Sequence, residues 1–161
     1  MQRHHSLKHY KDEHYKAIDT AETYEEMLET ALDILKNMPQ PISIVCGPIS
    51  TGGLGSIEKN LENYEKVINK LCDEGKNIFN QVPFEKAIEK IHGKLEGTAW
   101  EKNQSLLDRF YLKIYKSGII KKMYFIHGWE SSHGAKWERE LAGKLGIEIV
   151  DLPKDYLKEL F

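Results

Sequence analysis

The residues best placed to do chemistry fall in one short run, Ser131-Ser132-His133-Gly134-Ala135-Lys136-Trp137-Glu138. On a helix beginning near Ser132, Glu138 shares a face with Gly134, Ala135, Leu141 and Ala142, at spacings of three and four residues. That face is small and apolar, so it is expected to pack on a sheet while Lys136, Arg139 and Lys144 face water. A carboxylate on a packed face costs free energy unless it has a partner, and chemistry is one reason to keep it there. The helix N-terminus nearby is expected to hold it ionised, and so nucleophilic. The same spacing also fits a glutamate that caps neighbouring backbone or pairs with a lysine.

A second candidate is the glycine-rich run that follows a β-branched segment, Gly47-Pro48-Ile49-Ser50-Thr51-Gly52-Gly53-Leu54-Gly55-Ser56. It has the outer glycines of a P-loop, but Gly53 and Leu54 stand where that motif needs Lys and then Ser or Thr, which argues against nucleoside triphosphate hydrolysis. No G-x-G-x-x-G fits residues 47–58, and the second strand ends at Asn80 rather than at an acid for a ribose, so a dinucleotide fold is not indicated. A glycine turn at a helix N-terminus still offers backbone N–H groups to a phosphate, a carboxylate or a base edge, or uses glycine only for its dihedral angles. His5, His9 and His14 have near-helical spacing but no cysteine or acid cluster to complete a coordination sphere, so no metal or cofactor is expected. His127 and His133 flank the proposed pocket as possible donors, and Trp129 and Trp137 are candidates for base stacking or for packing.

These residues must be positioned by alternating strands and helices. Residues 42–46, 77–80, 123–126 and 147–150 read as short strands, and helical stripes separate them: Ile57, Leu61, Tyr64, Val67, Ile68 and Leu71 first, then Leu107, Phe110, Tyr111 and Ile114. The alternation predicts an α/β fold: a three-layer open sandwich with a four- or five-stranded, mainly parallel, Rossmann-like sheet and helices on both faces. Ligands in such sheets bind beyond the carboxyl ends of the strands, where the loops after Cys46, Asn80 and Ile126 converge. Residues 1–18, with four of the seven histidines and few aliphatics, read as a mobile polar arm or a loosely docked one, and residues 19–161 as one domain. That domain opens with an extra helix over 19–38, capped by Thr23 and Glu26, and closes with a short helix over 153–161. A length of 161 residues supports a single core, and a net charge of −2 gives no general attraction to nucleic acid polymers or anionic lipid. No apolar run approaches a membrane span and residues 1–15 lack the apolar centre of a signal peptide, so a cytoplasmic protein is expected, with Cys46 and Cys72 as buried thiols.

Gly47-Pro48-Ile49 with glycines after it, Asn80-Gln81-Val82-Pro83 after the second strand, and Gly128 to Ala135 leading to Glu138 together resemble the nucleoside 2-deoxyribosyltransferase-like superfamily, over about residues 42–152. That group includes 2′-deoxynucleoside 5′-monophosphate N-glycosidases and relatives without assigned activity. Its sharpest element here is Ser132-x-Gly134-x-x-x-Glu138. The resemblance implies that Glu138 is the nucleophile attacking C1′ of the sugar, that Ser132 and Gly134 contact the 5′ end of the substrate, and that Gly47, Ile49, Ser50, Gly52, Gly53 and Asn80 line its base and sugar side. A second carboxylate, assisting the departing base, would come from the helix before the third strand, where Asp108 is the nearest residue. Family members commonly carry an Asp just before that strand, where this chain has Lys121-Lys122, and Trp129-Glu130 lengthens the following loop.

The implied partner is a small nucleoside or nucleotide, cleaved by double displacement. Relatives are often oligomers, and the apolar stripe of the 19–38 helix is expected to meet a second subunit. The alternative is a non-catalytic nucleotide sensor that keeps the pocket and signals through the N-terminal helix.

Overall fold

The computed structural model describes residues 4–49 and 52–158. Three strands, β1 (Ile42–Cys46), β2 (Ile120–Phe125) and β3 (Glu148–Asp151), form a parallel sheet in the order β1-β2-β3. One extra residue in β2 shifts the register, since Ile42 lies opposite Ile120 but Ser43 opposite Lys122. The expected strand over 77–80 is reduced to a single parallel bridge on the outer edge of β1. There Ser43 N–H donates to the Asn77 carbonyl and Phe79 N–H to the Ser43 carbonyl, each at 2.9 Å. The segment is pinned at one end by the Gly75 and Lys76 N–H bonds to Cys72 and Leu71, and it turns at the other into a 3₁₀ helix, Val82–Phe84, so only one bridge fits. The sheet thus has three strands and an edge bridge, not four or five strands.

Helices cover both faces. α3 (Ile57–Asp73) turns Tyr64, Val67, Ile68 and Leu71 onto Val45, Tyr124 and Ile126. The opposite face, with Ile44, Cys46, Met123 and Phe125, carries α2 (Tyr24–Lys36), α4 (Glu85–Lys94), α6 (Leu112–Lys116) and α7 (His133–Leu145). Between α5 (Ala99–Leu106) and α6 the backbone widens into a π-helical turn, Leu107–Tyr111, which buries Leu107, Phe110 and Tyr111 together. The chain leaves β1 over one face and returns to β2 over the other. The carboxyl ends of β1 and β2 therefore flank the point where the winding reverses, the usual place for a ligand in an open α/β sheet.

The N-terminal segment is not a mobile arm over its described residues. α1 (Asp12–Thr20) and a 3₁₀ turn, His5–Leu7, dock on the core, burying Ser6, Tyr10, His14 and Ile18. Polar contacts substitute for the missing aliphatics: His14 Nδ1 accepts the Lys11 N–H at 2.9 Å, which leaves the ring proton on Nε2 for Asp33 at 2.7 Å. The stripe on α2, Tyr24, Met27, Ala31, Ile34 and Leu35, is covered within the chain, which removes the surface that suggested a second subunit. Thr23 caps α2 as expected, accepting the Glu26 N–H at 3.1 Å. Residues 154–157 form turns rather than the expected terminal helix, whose remaining residues 159–161 lie outside the described ones. Among the described residues no helix is long and apolar enough to cross a membrane.

Candidate functional site

Ser132 caps α7, its Oγ accepting the Ala135 N–H at 3.2 Å, and Gly146 in the left-handed conformation ends it. This start fixes the helix phase so that Ala135, Glu138 and Ala142 turn inward, as the small-residue spacing implied. Glu138 is buried against the end of β1. The Tyr115 hydroxyl of α6 donates to Glu138 Oε2, and the Cys46 thiol, on the last residue of β1, is a second donor to the carboxylate. Burial pushes the Glu138 pKa up to about 7, and the hydrogen bonds from Tyr115 and Cys46 pull against that rise. The expectation that the helix N-terminus keeps Glu138 ionised is therefore corrected. Desolvation dominates, and near neutral pH the carboxyl is poised between its two forms. The same burial drives the Tyr115 phenol and the Cys46 thiol well above their ordinary values, so both stay protonated as donors.

The glycine loop is organised differently. Buried Asn60, in the first turn of α3, accepts the Leu54 N–H at 2.8 Å through Oδ1, and its Nδ2 donates to the carbonyls of Ile49 at 3.0 Å and Gly52 at 3.1 Å. Gly53 N–H donates to Ser131 Oγ at 2.8 Å, tying this loop to the one that leads into α7. Gly52 and Gly53 have φ of +67° and +66°, and a Cβ on Gly52 would stand 2.2 Å from the Ser131 carbonyl oxygen. Gly47 lets the ends of β1 and β2 approach, since a Cβ there would meet Ile126 Cδ1 at 2.8 Å. A cavity of about 400 Å³ opens beside the loop, walled among the described residues by Gly52, Gly53, Gly55, Ser56, Ile57, Asn60 and Ser131. Glu138 and Asn80 are not part of that wall. Ser50 lies outside the described residues.

Residues 44–151 match the family described as a domain of unknown function, DUF4406. The chain belongs to the DUF4406 family. No curated protein and no solved structure matches it. The DUF4406 span holds Glu138, Tyr115, Cys46 and the glycine loop, and leaves α1 and α2 outside.

Two expected site residues of the DUF4406 core are not placed for substrate. Asn80 is consumed by the fold: its Nδ2 donates to Ser6 Oγ at 3.1 Å, its Oδ1 accepts the Val82 N–H at 3.1 Å, and its carbonyl accepts the Tyr10 hydroxyl. Asp108 is exposed on the π-helical turn and accepts from Gln104 Nε2 at 3.0 Å, because Leu107, Phe110 and Tyr111 take the buried side of that turn. Ser132 and Gly134 do start the helix that carries Glu138, and among the described residues a Cβ on Gly134 would meet only Ser132 Oγ at 4.0 Å, which leaves space beside it. Both tryptophans pack rather than present a free face. Trp129 meets Phe125 edge to face, the Arg139 guanidinium lies over both rings at 4.4 Å from the Trp129 centroid, and Trp137 sits against Tyr115.

Among the described residues of this DUF4406 protein, one set of three side chains converges with metal-ligand geometry: His4, His5 and Asp73. His4 and His5 Nε2 lie 3.0 and 2.6 Å from Asp73 Oδ1. His4 Nδ1 accepts the Ser6 N–H at 3.0 Å, so its proton is on Nε2, where a ligand needs a lone pair. As it stands the cluster is a hydrogen-bonded clasp between the N-terminal turn and α3. The sequence reading missed Tyr115, Cys46 and Asn60. The first lies four residues after Tyr111 on a buried stripe, and Asn60 lies four before Tyr64 on another; polar atoms on apolar stripes were the available signal.

Proposed function

We propose that this DUF4406 protein cleaves the N-glycosidic bond of a nucleoside or nucleotide, with Glu138 as the nucleophile. The observation that carries the reading is a carboxylate buried at the carboxyl end of a parallel sheet, held by a tyrosine hydroxyl and a thiol instead of a cation. Such a group costs stability, and use in chemistry is one reason to keep it there. The resemblance of Ser132-x-Gly134-x-x-x-Glu138 to the nucleoside 2-deoxyribosyltransferase-like superfamily supplies the chemistry that fits it.

Stretching the C1′–N bond builds oxocarbenium character at C1′. The Glu138 carboxylate forms a bond to C1′ as that bond breaks, its electron pair passing to the base, which also takes up a proton. Water, or the nitrogen of a second base, then attacks C1′, and Glu138 leaves as carboxylate. The hydrogen bond from Tyr115 fixes Oε2 and so limits rotation of the carboxylate before attack. The open space at Gly134 and the Ser132 hydroxyl at the head of α7 suit the 5′ end of the substrate, beside the positive end of the helix.

The test is incubation with a panel of nucleosides and 5′-monophosphates, with and without a second free base, read by chromatography. Wild type is expected to release base, and Glu138→Gln is expected to bind without releasing it. A new nucleoside formed with the second base identifies a transferase, and free sugar a hydrolase. Binding without base release by the wild type would leave the sensor reading, and full activity in Glu138→Gln would remove Glu138 from the mechanism.

A further inference from the structure

We propose that His4, His5 and Asp73 bind a divalent first-row transition ion of the zinc type, which staples the N-terminal turn to the end of α3. The site stands apart from Glu138 and does not rest on the glycosidase reading. The two histidines lie 69 and 68 positions from Asp73 in the chain, yet both Nε2 atoms meet the same oxygen, Asp73 Oδ1, at 3.0 and 2.6 Å. One ligand atom from each of the three residues falls within 4.8 Å of the others. Two imidazole nitrogens and one carboxylate oxygen are the donor set of zinc and its neighbours, whereas magnesium and calcium take oxygen alone. Tetrahedral donors about 2.0–2.2 Å from a zinc ion stand roughly 3.3 Å apart, so His5 and Asp73 need to part by less than ~1 Å to admit one.

The three ligands are held by fixed elements. Ser6, which follows the histidine pair, is buried; its Oγ donates to Asn69 Oδ1 at 3.1 Å and accepts from Asn80 Nδ2 at 3.1 Å. Asn69 lies one helical turn before Asp73 on α3, so the turn that carries both imidazoles is tied to the helix that carries the acid. Asp73 is the last residue of α3, at the negative pole of the helix, where an anion is unfavourable and a cation is stabilised. Among the described residues no lysine or arginine pairs with it; its partners are the two rings, which carry charge only when protonated. His5 and Asp73 are both exposed to solvent, which leaves room for water to complete the coordination shell.

The ion takes the place that ring protons hold in the clasp, and the two rings bind it through the Nε2 lone pairs. For His4 this moves the ring proton to Nδ1 and releases the Ser6 N–H, so His4 is the weakest ligand of the three. The histidines precede the DUF4406 span and Asp73 lies inside it, so the ion ties a segment peculiar to this chain onto the family core. The hydrogen bonds of that segment, from the Leu7, Lys8 and Tyr10 N–H groups to the carbonyls of His4, His5 and Leu7, report how firmly it is docked.

The experiment titrates chelator-treated full-length protein with zinc by calorimetry, and with cobalt(II) by visible absorption as a report of coordination. Wild type is expected to bind one ion per chain, and Asp73→Asn and His5→Ala are each expected to weaken it by at least ~10-fold, His4→Ala by less. Asparagine keeps an oxygen that accepts from both rings, so Asp73→Asn leaves the clasp in place and removes only the charge. His9→Ala, outside the site, is expected to bind as wild type does. Zinc is also expected to slow hydrogen exchange at the Leu7, Lys8 and Tyr10 amides in wild type and not in Asp73→Asn. No binding by wild type overturns the proposal, as does binding of equal strength in Asp73→Asn, which would put the ion on the histidine pair alone or elsewhere. Bound zinc with unchanged exchange at those amides overturns the staple.

Discussion

The two loops that meet at the carboxyl end of the sheet treat their polar groups in opposite ways. Around the glycine loop every polar group described above has a partner. Asn60 makes three hydrogen bonds to the loop backbone, Ser131 bridges to Gly53, and Gly47, Gly52 and Gly53 stand where a side chain would strike a neighbouring backbone or side chain. Around Glu138 the interior instead holds a carboxyl without a cation. Hydrogen bonds that close on themselves build a scaffold; a buried acid whose charge nothing neutralises is what a substrate would complete. Under the proposed function the chemistry is assigned to Glu138 in the second region, and the first is scaffold.

The sharpest way to break this contrast is to disable each region in turn. Glu138→Gln is expected to reduce base release by about 10³-fold or more, equivalent to at least ~4 kcal/mol of transition-state stabilisation, with substrate binding by calorimetry little changed. Next in size is the scaffold. Asn60→Ala strands Leu54 N–H and two carbonyls and is expected to destabilise the fold by about 3 kcal/mol, lowering Tm by roughly 6–12 °C, while the chemistry of the residual folded protein persists.

Glu138 and Glu85, the recessed first residue of α4, should also appear in the pH dependence of stability. Glu85 and Glu138 are harder to ionise in the native state than at their ordinary value of 4.5, so between that value and about 7 the native protein binds more protons than the unfolded chain. Stability contributed by these groups is then fully present below pH 4.5 and falls as pH rises through 7. Glu85→Gln, which loses no hydrogen bond, is expected to raise Tm at pH 8 by a few degrees and to change it little at pH 4.5, as read by thermal melts. The smallest effect is at Asp108: Asp108→Asn is expected to shift stability by no more than about 0.5 kcal/mol, since the residue is exposed and holds only Gln104.

Much of the fold was legible because its signals are local. Ser132 and Gly146 mark the ends of α7, and the small residues around Glu138 state which way it faces; the structure has all three as read. The strand over 77–80 failed because β-branched and aromatic residues there satisfy a strand pattern, while the closeness of the α3 cap and the Val82–Phe84 turn limits it to one bridge. The N-terminal segment was misread because its docking uses histidine, serine and tyrosine hydrogen bonds, which hydrophobic periodicity does not register. Asn80 looked like a binding residue for the same reason: its partners, Ser6 and Tyr10, lie about 70 positions away in sequence.

The most direct test of the central role given to Glu138 is intact-protein mass spectrometry after incubation with a 2′-fluoro-arabinosyl nucleoside, whose fluorine slows both attack at C1′ and release of a glycosyl-enzyme. The account predicts a mass increase of one fluorinated sugar, mapped by proteolysis to the peptide containing Glu138 and absent in Glu138→Gln. Base release without any adduct, or an adduct on another residue, would contradict it.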